Sequence, residues 1–217
     1  GGTVSNQSGG QLLSGGRLTL DAARLDNAGW AQGTDLTLTT GQLDNRGTLQ
    51  AQSGLTLHLP QWTNAGTVQA GQLDITIDGQ LDNRGTLLGL TRLALQAASL
   101  NNAEGARLYS AGELQLRTGQ LTQNGQLAAL GDLRADIGNP FTFTRTLAAG
   151  GQLTLAVTGD LVQAGTLQGH GVTVTSTGTL TQQGRIVAGG GNSTLSAATI
   201  NQTESGSIQG GGPLSLR

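Results

Sequence analysis

The chain has 217 residues, 37 of them Gly, with no Cys, 2% aromatic and 11% charged residues, and a formal net charge of -2. Disulfides, thiolate catalysis and Cys-based zinc sites are excluded, and with no Lys and no basic run there is neither Schiff-base chemistry nor an electrostatic footprint for nucleic acid or anionic membrane. No apolar run approaches the roughly 20 residues that cross a bilayer, and so few aromatics require a thin aliphatic core.

Gly1-Gly2-Thr3 has neither a basic nor an apolar signal region. A repeat is running by Val4 and still running at Leu214-Ser215-Leu216, with no polar capping unit. Residues 1–217 are therefore expected to form a single repeat segment excised from a longer protein. The first apolar residue of each unit falls at Val4, Leu25, Leu43, Trp62, Leu81, Leu100, Leu121, Phe141, Leu161, Leu180 and Ile200, which makes about eleven units of roughly 20 residues.

The clearest unit is Leu81 to Leu95, Leu-Asp-Asn-Arg-Gly-Thr-Leu-Leu-Gly-Leu-Thr-Arg-Leu-Ala-Leu. Apolar and polar residues alternate with period two on either side of a glycine, which is strand-turn-strand grammar. Leu55 to Leu59, Leu73 to Ile77 and Leu153 to Val157 alternate in the same way. Such a unit cannot bury its own apolar face, so the copies must stack. The prediction is an all-β parallel β-helix of about eleven coils, ~4.8 Å apart and roughly 50 Å long. A leucine-rich repeat has a similar period but needs a helical or looped second side.

Two residues after each marker stands an amide: Asn6, Asn27, Asn45, Asn64, Asn83 and Asn102, then Gln123, Gln163, Gln182 and Gln202, with Phe143 as the exception. Stacked amides can bond along the rod axis as a ladder. A second column, Gly29, Gly47, Gly66, Gly85, Gly125, Gly165 and Gly184, is read as the corner residue that adopts positive φ. Thr48, Thr67, Thr86, Thr146 and Thr166 follow it as outward strand residues.

Three places break the pattern. The corners within Asn101 to Leu108 and Asn201 to Ile208 are about two residues longer and carry Glu104 and Glu204. Gly138 to Arg145 puts Phe143 in the amide column and Arg145 in the glycine column, so that coil must differ locally. Irregular corners on a rigid scaffold are where binding concentrates.

Units such as Leu43-Asp44-Asn45-Arg46-Gly47-Thr48-Leu49-Gln50-Ala51 resemble the haemagglutinin repeats of filamentous haemagglutinin and its relatives, including the exoproteins of contact-dependent growth inhibition. The resemblance covers nearly the whole chain. It implies a right-handed β-helical shaft on a large secreted or surface protein of a Gram-negative bacterium, exported by an outer-membrane partner transporter and acting in adhesion, biofilm formation or toxin delivery. A host or target-cell receptor, protein or glycan, is the other implied partner.

Catalytic, cofactor and metal sites are not expected. Asp26, Asp44 and Asp82 share a column, as the carboxylates of a β-helical polysaccharide-degrading enzyme would, but Arg46 and Arg84 stand two residues away and no His or Lys joins them. His58 and His170 fall at different places in the repeat. Trp62 occupies a core position. The candidate partner contacts are Trp30, in the outward Thr column, and Glu104, Tyr109, Phe143, Arg145 and Glu204 at the irregular places. These motivate an alternative reading as a receptor-binding module within the shaft.

Overall fold

The computed structural model describes residues 1–217 as strands and turns with no helix. Every strand pair is parallel, and the chain winds as a β-solenoid of about 11 turns. Each coil contributes three strand segments. The first face carries the amide, as in Trp62–Asn64. The second carries the Thr-Leu step and the third the Leu-x-Leu step, as in residues 67–70 and 72–77.

Register is set by the period-two pattern, because a slip of one residue would turn every Leu to solvent. Trp62 lies over Leu81 and Asn64 over Asn83 on the first face. Leu49 lies over Val68 on the second and Leu55 over Leu73 on the third. Leu49, Val68, Leu73, Leu81 and Leu87 are completely buried, members of one continuous core cluster of 45 residues. Each such Leu contributes about 1.5–3 kcal/mol relative to exposure, and every one needs the coil above and below to close it. The second side is strand as well, which separates the fold from a leucine-rich repeat.

The corner glycines correct one expectation. Positive φ occurs only at Gly9, Gly105 and Gly159, none of them in the column. The column is glycine for a different reason. A Cβ on Gly47 would lie 2.1 Å from the carbonyl oxygen of Gly29, on Gly66 2.2 Å from that of Gly47, and on Gly85 2.0 Å from that of Gly66. Those carbonyls cannot turn away, because each accepts the amide of the next coil's Thr, at 2.8 Å from Thr67 to Gly47 and 2.9 Å from Thr86 to Gly66. Close backbone approach, not backbone conformation, selects the residue.

The two halves differ. Up to Asn102 single strands run round the corners for 16 or 17 residues, as in Trp30–Asn45, Thr67–Asn83 and Thr86–Asn102. From Gln126 onward the strands are short, from Phe141–Phe143 with 3 residues to Gly171–Ser176 with 6. The first face is also divided. Phe141–Phe143 begins a separate four-stranded sheet with Leu161–Gln163, Thr179–Gln182 and Thr199–Gln202, and does not pair with Leu121–Gln123 below it. The second and third faces run through that level in register, with Leu127 over Leu147 and Leu133 over Leu153.

Candidate functional site

The amide column is a directed chain of hydrogen bonds. The Nδ2 of each Asn donates to the Oδ1 of the next: Asn6 to Asn27 at 2.8 Å, Asn27 to Asn45 at 2.9 Å, Asn45 to Asn64 at 3.2 Å, Asn64 to Asn83 at 3.0 Å and Asn83 to Asn102 at 3.0 Å. Asn102 hands on to Gln123 Oε1 at 3.2 Å. The second Nδ2 proton goes to a backbone carbonyl, from Asn27 to Thr48 at 3.2 Å and from Asn83 to Arg107 at 3.2 Å. These side chains are buried and fully paired, the condition under which buried amides stabilise.

The ladder stops at Gln123. One methylene longer, a Gln amide overshoots the neighbouring coil's amide and turns back to its own corner, Gln163 to the Gly165 carbonyl at 2.7 Å and Gln182 to the Gly184 carbonyl at 3.0 Å. The Oε1 atoms of Gln163 and Gln182 are left buried without a donor. This column holds structure and offers nothing to a ligand.

The aspartate column is an array of ion pairs. Arg24 Nε lies 2.7 Å from Asp26, Arg46 2.9 Å from Asp44 and Arg84 2.7 Å from Asp82, while Asn101 donates to Asp82 at 2.9 Å. The hydrogen bond and charge of Asp26, seconded by Asp44, raise the pKa of Arg24 above its ordinary value. A general acid needs a carboxyl held away from cations, and these are held against them. His58 is paired with Asp78 at 2.9 Å, and no three metal-ligating side chains converge anywhere.

The irregular corners bring some candidates together. Glu104 reaches over the intervening coil to Arg145, at 3.5 Å and across 41 residues. Arg107, at the far side of the same corner, lies 5.8 Å from the ring centroid of Tyr109 and donates to Gln126 at 2.7 Å. Phe143 is not on the surface: it is 2% exposed and stacks on Phe141 at 5.5 Å, because its side chain takes the inward place of the missing amide. It therefore presents no contact to a partner. Trp30 is outward and 43% exposed, with Leu13, 59% exposed, on the adjoining coil of the same face. Trp62 is inside. Glu204 is exposed on its own corner, where the Gly206 amide closes a turn on Thr203 at 3.1 Å.

A third corner of this kind, Gln7 to Gly10, was missed by sequence reading. Its Gly10 amide closes on Gln7 at 2.8 Å, as Ala106 closes on Ala103 at 3.1 Å, and Gly9 and Gly105 at equivalent places have φ of 79° and 80°. Positive φ at the third residue of a turn is what glycine supplies. The signal was the spacing from Val4 to Leu25, about two residues longer than its neighbours.

A parallel solenoid of ~20-residue coils, sealed by an aliphatic core and an amide ladder, defines a repeat-built β-rod. The haemagglutinin repeat family matches it at residues 1–33, 28–85, 68–136, 144–184 and 181–217. The chain belongs to that family, and its relatives are CdiA contact-dependent inhibition proteins. It is 89% identical over 218 residues to "Deoxyribonuclease CdiA" of Dickeya dadantii (strain 3937), covering 100% of this chain and 7% of that protein. It is 40% identical to "tRNA nuclease CdiA" of Yersinia mollaretii over 98% of this chain, and 38% identical to "tRNA nuclease CdiA" of Escherichia coli (strain STEC_O31) over 95%, covering 6% of each relative. No solved structure matches the chain.

Proposed function

We propose that this chain is a non-enzymatic shaft segment, residues 1–217 forming one stretch of a much longer secreted or surface-anchored exoprotein of contact-dependent inhibition. The observation that supports it is the paired aspartate column. Every side chain that resembled catalytic machinery is neutralised by an arginine two residues away. The segment spans 7% of its 89% identical relative, so the activity in that relative's name has ample chain elsewhere in which to reside. The parent is exported by an outer-membrane partner transporter, and the rod holds distal binding or toxin elements away from the producing cell. Removing whole coils from the parent should reduce inhibition of neighbouring cells in proportion to the length lost. Purified segment should leave nucleic acid and polysaccharide uncut. Cleavage lost in Asp44→Ala or Asp82→Ala would overturn the reading.

A second reading, that the segment itself touches a target-cell protein or glycan, is favoured by one observation. Trp30 and Leu13 stand exposed together on the second face, with Gln11 beside Trp30 and Gln32 beside Leu13. Indoles of this kind dominate contact energies. Pull-down on target-cell envelopes should then lose signal about tenfold with Trp30→Ala; equal recovery of both proteins removes this reading and leaves the first intact.

A further inference from the structure

We infer that the rod contains a single one-sided hinge between its seventh and eighth coils, opening on the first face and strapped by the Glu104–Arg145 ion pair. The inference rests on the fold and is independent of what the rod carries.

Three observations meet at this level. The strand Phe141–Phe143 pairs upward with Leu161–Gln163 but has no ladder to Leu121–Gln123, so the first face is two separate sheets. The corner bonds that recur elsewhere are also missing. The Asn102 carbonyl accepts from Asn124 and Gly125, and that of Phe143 from Ala164 and Gly165, but the Gln123 carbonyl accepts nothing from Thr144, Arg145 or Thr146. The side-chain ladder ends at the same place, with Phe143 where the next amide would stand.

Residues explain each loss. Pro140 has no N–H to donate. Phe143 cannot continue an amide chain, and Arg145 stands in the column that Gly47, Gly66, Gly85, Gly165 and Gly184 occupy against a neighbouring carbonyl. The last bonds before the gap are Gly138 to the Thr118 carbonyl at 2.8 Å and Asn139 Nδ2 to the Gly119 carbonyl at 2.9 Å; pairing resumes at Leu147 over Leu127. Two bonded faces fix the coil spacing at ~4.8 Å. The remaining freedom is rotation about them, which opens the unbonded first face.

Glu104 and Arg145 lie on opposite sides of this gap, on the sixth and eighth coils. Their side chains are 84% and 48% exposed, so the pair is weak and screened by salt. It biases the hinge toward closure without locking it.

The absence of Cys makes paired spin labels unambiguous. Labels at Thr63→Cys and Thr181→Cys span the gap on the first face; labels at Thr56→Cys and Thr173→Cys span the same number of coils on the third. The hinge predicts a first-face distance distribution about twice as wide as the third-face one. It should widen further in Glu104→Gln or at high salt, and narrow to the third-face width when Pro140→Gln, Phe143→Asn and Arg145→Gly restore the repeat. Equal widths in the native sequence overturn the hinge. A width unchanged by the restoring substitutions does the same, and one unchanged by Glu104→Gln removes the strap.

Discussion

At the scale of the residue, the two inward columns test different physics. Gly66→Ala would place a methyl 2.2 Å from a carbonyl already bonded to the next coil. It should cost about 3 kcal/mol or more, as overpacking against fixed backbone does. Gly15→Ala, with nothing within 4 Å of the added carbon, should change stability by less than about 0.5 kcal/mol; urea melts of the two read the contrast. For the amides, Asn64→Leu strands the Asn45 donor and the Asn83 acceptor, a loss of about 2–4 kcal/mol. Gln182→Leu removes an Oε1 that is already without a donor and should cost about 1 kcal/mol. If both melts shift equally, the ladder is not the stabilising feature described above.

At the scale of the element, Asn6 to Asn102 ties the first six coils together with five Asn-to-Asn bonds. The coils after Gln123 have short strands, Gln in place of Asn, and polar Ser193 in an otherwise aliphatic column. In a one-dimensional stack each coil's stability is its own plus that of its two interfaces. Backbone amides of the coil at Leu25 to Leu43 should therefore exchange about tenfold more slowly than those of the coil at Leu180 to Ile200. In the isolated 217-residue segment each of these coils has one coil beyond it, so fraying affects them alike. Hydrogen exchange showing equal rates would mean that the amide ladder does not set local stability.

At the scale of the whole molecule, the repeat makes length adjustable. Deleting Ala65 to Asn83 joins Asn64 to Arg84 at the 19-residue spacing of the ladder and leaves every remaining column in register. The shortened protein should fold cooperatively, be about 5 Å shorter by small-angle scattering, and keep its strand signal in circular dichroism. Deleting ten residues from the same stretch removes half a coil, sets corners of one coil against strands of the next and should abolish folding. If the half-coil deletion folds as well as the whole-coil one, stacking in register does not hold the rod together.

The sequence by itself determined the solenoid, its coil count and the inward columns, because a period of two within a period of ~20 leaves stacking as the only way to bury the leucines. It also marked Phe143 and Arg145 as misfits and Asp44 and Asp82 as balanced by Arg46 and Arg84. Tertiary structure decided what those marks mean. Phe143 is buried and not a contact, the corner glycines answer to a neighbouring carbonyl and not to φ, and Glu104 meets Arg145 two coils on. Each of these depends on which backbone atoms lie across from one another along the axis. A residue's own neighbours in the chain carry no record of a contact made a full turn away.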